Sequence, residues 1–147
     1  MPRPRGGDWL EDEIASYRAR GVHVLVSLLE EDEVERLDMA REPELARAGG
    51  LEFLSHPIPD HHPPPDLEAA VELVRGLERR LAAGKGIAIH CFAGIGRSAT
   101  IAAAVLLAHR VPLAETFDLL AAARGFPVPE TAEQNLWLEE FAAREGS

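Results

Sequence analysis

Cysteine occurs once in this 147-residue chain, at Cys91, so no disulfide can form within it. That excludes the cross-linked secreted scaffolds and makes a reducing, cytoplasmic setting the expectation. Lysine also occurs once, at Lys85, and the other basic side chains are arginines. Long apolar runs are missing. The best candidate, Ser98 to Leu107, falls far short of the ~20 residues a bilayer span needs. The opening Met1-Pro2-Arg3-Pro4-Arg5-Gly6-Gly7 lacks the apolar core of a signal peptide. Positive charge is scarce: 15 basic against 25 acidic residues leave a formal net charge of −10. Such a field repels nucleic acid and anionic lipid, so neither is an expected partner. What is present, 46% hydrophobic and 27% charged residues, suits one ordinary folded domain over 1–147, with a monomer as the expectation.

Strands and helices alternate along the chain. Asp8 can cap a helix through Trp9, Leu10, Ile14 and Tyr17 that Gly21 ends. Val22 to Leu29 is short and β-branched, as a buried strand should be. Helical spacing follows over 30–39 and again over 42–48, closed by Gly49-Gly50. Leu51 to Ile58 alternates like a second strand, and Pro57, Pro59 and Pro63-Pro64-Pro65 then forbid regular structure. Asp66 caps a helix bearing Leu67, Ala70, Val71, Val74, Leu77 and Leu81 on one face. Gly86 to His90 reads as a third strand, Ser98 to His109 as a helix buried on most sides, and two more helices span roughly 113–123 and 131–143. The pattern predicts an α/β fold, a short, mainly parallel sheet flanked by helices.

Chemistry concentrates in His90-Cys91-Phe92-Ala93-Gly94-Ile95-Gly96-Arg97-Ser98, between a buried strand and a buried helix. Gly94 and Gly96 let the loop curl until successive N–H groups face one point, an anion-binding nest. The helix starting at Ser98 aims its positive end there. Arg97 adds a planar fork matched to two phosphate oxygens. The phosphate-binding loop is thus Phe92, Ala93, Gly94, Ile95, Gly96 and Arg97. The same field favours a thiolate at Cys91, drawing its pKa from about 8.5 into the range of roughly 3.5–7.5 and making it a nucleophile. Ser98 can donate to the sulfur and ease its departure as a leaving group. His90 can orient the loop through backbone hydrogen bonds.

The stretch resembles the His-Cys-x5-Arg-Ser/Thr signature of the protein tyrosine phosphatase superfamily, and in detail its dual-specificity branch of small atypical single-domain members. Pro57-Ile58-Pro59-Asp60 looks like the acid loop of that branch, and Glu130-Thr131-Ala132-Glu133-Gln134 like its late glutamine segment. The resemblance implies a phosphatase fold and a phosphocysteine intermediate. It casts Asp60 as general acid and then base, Gln134 as the residue that places water, and requires no metal or other cofactor. It implies a phosphorylated protein or peptide as substrate, with phosphate, vanadate or sulfate able to occupy the site. Family members usually begin with a short strand. Here only residues 1–7 precede Asp8, so that strand is truncated or the segment is flexible.

Plainer readings exist for the same residues. A lone cysteine in an apolar strand is more often filler, but this one precedes a glycine-rich turn and an arginine. Asp60 is also a turn former. Asp66 reads as a cap, Asp32 as a solvated charge, and Trp9 and Trp137 as helix packing. His56, His61, His62 and His90 lack metal-ligand spacing. The loop residues Phe92, Ala93 and Ile95 are uncharged, where phosphoinositide phosphatases of the superfamily usually carry lysines. That lowers the lipid reading; a phosphoprotein, phosphotyrosine first and phosphoserine or phosphothreonine after it, is the expected substrate, with a phosphoinositide, an RNA 5′ phosphate or a metabolite as the alternative. An idle phosphate-binding module is the remaining alternative.

Overall fold

The computed structural model describes residues 1–145, so the last two residues of the expected domain lie outside the described residues. A parallel three-stranded sheet forms the centre, in the order β2-β1-β3. Its strands are β1 (Val22–Ser27), β2 (Glu52–Ser55) and β3 (Gly86–His90). β1 lies between the other two, with Ser27 level with Ser55 on one side and with His90 on the other. Side chains alternate across a strand, so Val24 and Val26 enter one core and Leu25 the other. The near-continuous apolar run of β1 follows from burial on both faces.

Helices α1 (Leu10–Ala19), α2 (Glu31–Arg36) and α3 (Glu42–Ala48) precede β2, and α4 (Leu67–Ala82) precedes β3. α5 (Arg97–Ala108), α6 (Leu113–Arg124) and α7 (Ala132–Glu145) follow. One core joins Val24, Val26 and Ile89 to Val74 and Leu77 of α4, Ile101 and Val105 of α5, and Leu138 and Phe141 of α7. The other joins Leu25 and Phe53 to Leu10 and Ile14 of α1 and Ala46 of α3. α5 is buried at nine positions, which is why its sequence has almost no polar face. Among the described residues no helix is long and apolar enough to cross a membrane.

The expected elements are all present, with shorter strands. β1 and β2 end at Ser27 and Ser55, but backbone bonding runs on a little further, with the Leu28 N–H donating to His90 O (3.0 Å) and the His56 N–H to Ser27 O (2.9 Å). Asp66 caps α4 as expected, its Oδ1 accepting from the Ala69 N–H at 3.1 Å. Two readings need correction. Asp8 caps nothing: it lies within a 3-10 turn, Gly7–Trp9, and α1 starts after it without a side-chain cap. Trp9 is not a packing residue. It is 56% exposed and its ring lies against the Arg5 guanidinium. Trp137 does pack, stacked on Phe141 with ring centroids 5.3 Å apart.

Residues 1–6 form no helix or strand. They cross the foot of the loop after β3, where the Met1 amino group donates to Ile89 O (2.8 Å) and the Arg3 N–H to Phe92 O (3.2 Å).

Candidate active site

The carboxyl ends of all three strands converge on one small cavity, as parallel α/β sheets direct them to do. β1 leads into α2, which carries Glu33; β2 leads into the proline-rich loop with Asp60; β3 leads into Cys91. The cavity, of about 120 Å³, is lined by Cys91, Phe92, Ala93, Ile95, Gly96, Arg97, Asp60, His61 and Glu130.

The loop after β3 curls around the sulfur. Cys91 Sγ accepts from the Gly94 N–H at 3.3 Å and lies 3.3 Å from Ser98 Oγ. The loop carbonyls are engaged from outside: Phe92 O by the Arg3 N–H, Ala93 O and Gly94 O by the Arg124 guanidinium at 3.2 and 3.1 Å. Tying carbonyls outward leaves the amides free to face inward. Gly94 has φ +76°, and a Cβ there would sit 2.3 Å from the Met1 carbonyl carbon, so the close approach of residues 1–2 requires glycine. Gly96 O accepts from Thr100 Oγ1 (2.8 Å) and joins the loop to α5.

Burial opposes ionisation of the Cys91 thiol. Hydrogen bonds from Ser98 and from the Gly94 N–H, together with the Arg97 charge, outweigh it and hold the thiol below its ordinary value. The cysteine therefore has the environment of a nucleophile.

Arg97 is 1% exposed. Its Nη1 donates to Glu33 Oε1 (2.6 Å) and Ile58 O (3.0 Å), and its Nη2 to Glu33 Oε2 (2.9 Å). Asp60 Oδ1 lies 3.3 Å from the same Nη2. Burial works against the guanidinium charge, but the Glu33 bidentate pair overrides it and raises the Arg97 pKa. Reciprocally, burial pushes Glu33 up while Arg97 pulls it below the usual carboxylate range. Arg97 Nε is buried and has no hydrogen-bond partner. A buried donor left unsatisfied costs about 1–3 kcal/mol, so this N–H marks a place for an acceptor.

Gln134 is fully buried beside Gly96. Its Oε1 accepts from the Thr131 N–H (3.2 Å) and its Nε2 donates to His62 O (3.4 Å). It ties the proline-rich loop to α7, and the residues lining the cavity do not include it. His90 lies beneath the loop, Nδ1 3.3 Å from Cys91 O. Phe92 is 43% exposed at the rim, under the Arg3 guanidinium.

Sequence reasoning missed Glu33, Glu42 and Arg124, and it reaches His61 only as a non-ligand and Glu130 only within the late glutamine segment. Glu33 sits in an acidic run, Glu30 to Glu35 broken only by Val34, where no spacing distinguishes the inward carboxylate. Its one local signal is the reach back to the Glu30 N–H (3.1 Å), a helix-start pattern. Arg124, at the last turn of α6, reads as an ordinary helix-end cation. His61, at φ +66°, places Nδ1 2.9 Å from Glu130 Oε1 and Nε2 3.5 Å from Asp60 Oδ2. These three bring possible ligand atoms within 4.8 Å of one another. The contacts of His61 with Glu130 and Asp60 already account for the cluster.

A parallel sheet whose last strand delivers a cysteine into a cup of amides, ahead of a helix that opens with an inward arginine, is the architecture of the protein tyrosine phosphatase superfamily in its dual-specificity branch. The family described as "Polymorphic toxin system, DSP-PTPase phosphatase" matches residues 1–110, and the chain belongs to it. Cyclin-dependent kinase inhibitor 3 of Sus scrofa is 36% identical over 88 residues, 58% of this chain and 41% of that protein. The chain spans 41% to 63% of the length of the curated relatives it matches. The crystal structure of Tk-PTP in its active form is 32% identical, covers 98% of this chain and 88% of its own, and superposes with a TM-score of 0.77. A kinase associated phosphatase whose catalytic cysteine is replaced by serine shares the fold at a TM-score of 0.85, with 22% identity over 100% of this chain and 86% of that one.

Proposed function

We propose that the chain hydrolyses phosphate monoesters on protein side chains, phosphotyrosine first, through a phosphocysteine at Cys91. The observation that carries this reading is the buried, unpartnered Arg97 Nε beside a sulfur held in hydrogen bonds. An incoming phosphate supplies the missing acceptor, and the Arg97 fork and loop amides hold its equatorial oxygens. The Cys91 thiolate attacks phosphorus in line. The P–O bond to the leaving group breaks, and Asp60 delivers its proton to the departing oxygen. Water then attacks the phosphocysteine, Asp60 takes a proton from it, and the S–P bond breaks. Ser98 O–H, 3.3 Å from the sulfur, stabilises the returning thiolate. Gln134, holding His62 O, keeps the acid loop over the cup during the second step. His90 fixes the Cys91 carbonyl.

The uncharged loop side chains and the exposed ring of Phe92 at the rim favour an aromatic phosphoester over a polyphosphorylated lipid headgroup. Phosphoserine and phosphothreonine peptides are secondary substrates in this reading. A single cysteine that must stay reduced supports a cytoplasmic setting.

The test is turnover of a small aryl phosphate in the presence of a chelator, with vanadate as competitor, followed by phosphotyrosine peptides against phosphoinositides. The expected result is chelator-resistant, vanadate-sensitive turnover that Cys91→Ser abolishes while phosphate still binds. Turnover that survives Cys91→Ser overturns the assignment, and a preference for phosphoinositides overturns the substrate class.

A further inference from the structure

Beneath the loop lies a buried pair of which the reaction above uses only His90. His90 Nε2 is 2.6 Å from Glu42 Oε2, and the two side chains are 0% and 2% exposed. The other ring nitrogen, Nδ1, faces Cys91 O at 3.3 Å. Both neighbours are acceptors when Glu42 is ionised. A neutral imidazole has one N–H and one lone pair. Neutral His90 beside a carboxylate would therefore set a lone pair against an acceptor on one side, between two side chains closed to solvent. The two contacts are satisfied together in only two ways: imidazolium with carboxylate, or Nδ1–H imidazole with a protonated carboxyl. Each holds the same number of protons, and each leaves the pair with no net charge.

That count matters for the neighbouring sulfur. Without the shared proton the pair would carry a full negative charge in a dry space next to a cysteine that must itself be an anion. With it, Nδ1–H stays on the carbonyl of Cys91 and fixes the end of β3 from which the sulfur projects. We propose that Glu42 is a positioning residue: it holds His90 in the state that donates to Cys91 O, and so keeps the nucleophile aimed and ionised. Other ionisable groups reach this region from three sides. Tyr17 on α1 is pushed up to about 12, by burial first and by Glu13 and Glu42 after it, and is neutral across the working range. The Met1 amino group donates to Ile89 O from the edge of β3, and Cys91 meets the pair through its backbone carbonyl, at His90 Nδ1. None of them supplies a second acceptor for His90 Nε2.

The role rests on Cys91 being the nucleophile proposed above, and the experiments separate the two ideas because neither primary readout needs turnover. The first is the rate of Cys91 alkylation against pH in three forms: the natural chain, Glu42→Met and Glu42→Gln. Methionine fills the space without a hydrogen bond. Glutamine can donate an amide N–H to Nε2 and leave Nδ1–H in place. Glu42→Met is expected to move the thiolate titration upward by about one pH unit, about tenfold in alkylation rate on the acid side, and Glu42→Gln to restore most of it. A Glu42→Met chain that alkylates like the natural one assigns Glu42 to packing and overturns the proposal. The second readout, should Glu42→Met not fold, is the ring nitrogen spectrum of His90 in the natural chain. An Nδ1 bearing hydrogen at neutral pH supports the proposal; a bare Nδ1 with hydrogen only on Nε2 overturns it. A normal His90 spectrum in a chain without phosphatase turnover sinks the functional reading alone.

Discussion

Replacing Glu33 by glutamine tests whether the Arg97 fork is held from behind. The guanidinium is almost wholly out of water, and Glu33 is its bidentate partner, at 2.6 and 2.9 Å. Removing one member of a buried ion pair costs about 3–5 kcal/mol, because the survivor is left charged and uncompensated. Ile58 O still accepts from Nη1, and the glutamine carbonyl can accept from one nitrogen, so the lower end, about 3 kcal/mol, is the expectation. For a domain of this size that is a fall in Tm of roughly 6–12 °C. The pH dependence has a definite sign. Arg97 holds Glu33 below its unfolded pKa, so its contribution is present above the usual carboxylate range, near pH 4.3, and is lost as pH falls through the lowered folded value. The gap between the natural chain and Glu33→Gln should be widest near neutrality and close only in strong acid. Calorimetry or urea melts at several pH values measure it, and aryl phosphate turnover should fall by up to about 100-fold as the fork loses its aim. A Tm within about 2 °C of the natural chain at neutral pH, with turnover intact, would refute the view that Glu33 positions Arg97.

Two further outcomes follow from the same geometry. Asp60→Asn should slow turnover by roughly 10²-fold or more for poor leaving groups and much less for good ones; equal slowing across a series of aryl phosphates would move the acid elsewhere. Gly94→Ala should cost at least the roughly 1–2 kcal/mol of a left-handed alanine and push residues 1–2 off the loop, since its Cβ meets backbone at 2.3 Å; urea melts and phosphate affinity report both, and an unchanged affinity would show that the contact is dispensable.

The fold and the loop were legible in the sequence because local signals and the tertiary answer agree there. β1 reads as a buried strand and is one, and the cysteine, glycines and arginine sit where a strand meets a helix. The second tier was not legible. Glu33, Glu42 and Arg124 come from elements 64, 48 and 30 residues away from the groups they touch. Each stands in a composition, acidic helix start or basic helix end, that solvated surfaces use freely. Only the crossing of the chain turns them inward. Trp9 fails for the opposite reason: its helical spacing is right, but the helix begins one residue later and leaves the ring outside.

Asp60 and an arriving phosphoryl group contend for the same edge of Arg97. Asp60 Oδ1 lies at the Nη2 that a phosphoryl oxygen would take in the proposed reaction, so the carboxylate and a bound oxyanion exclude one another there. In that reaction, seating the phosphoryl group and freeing the Asp60 side chain from Arg97 would be a single event.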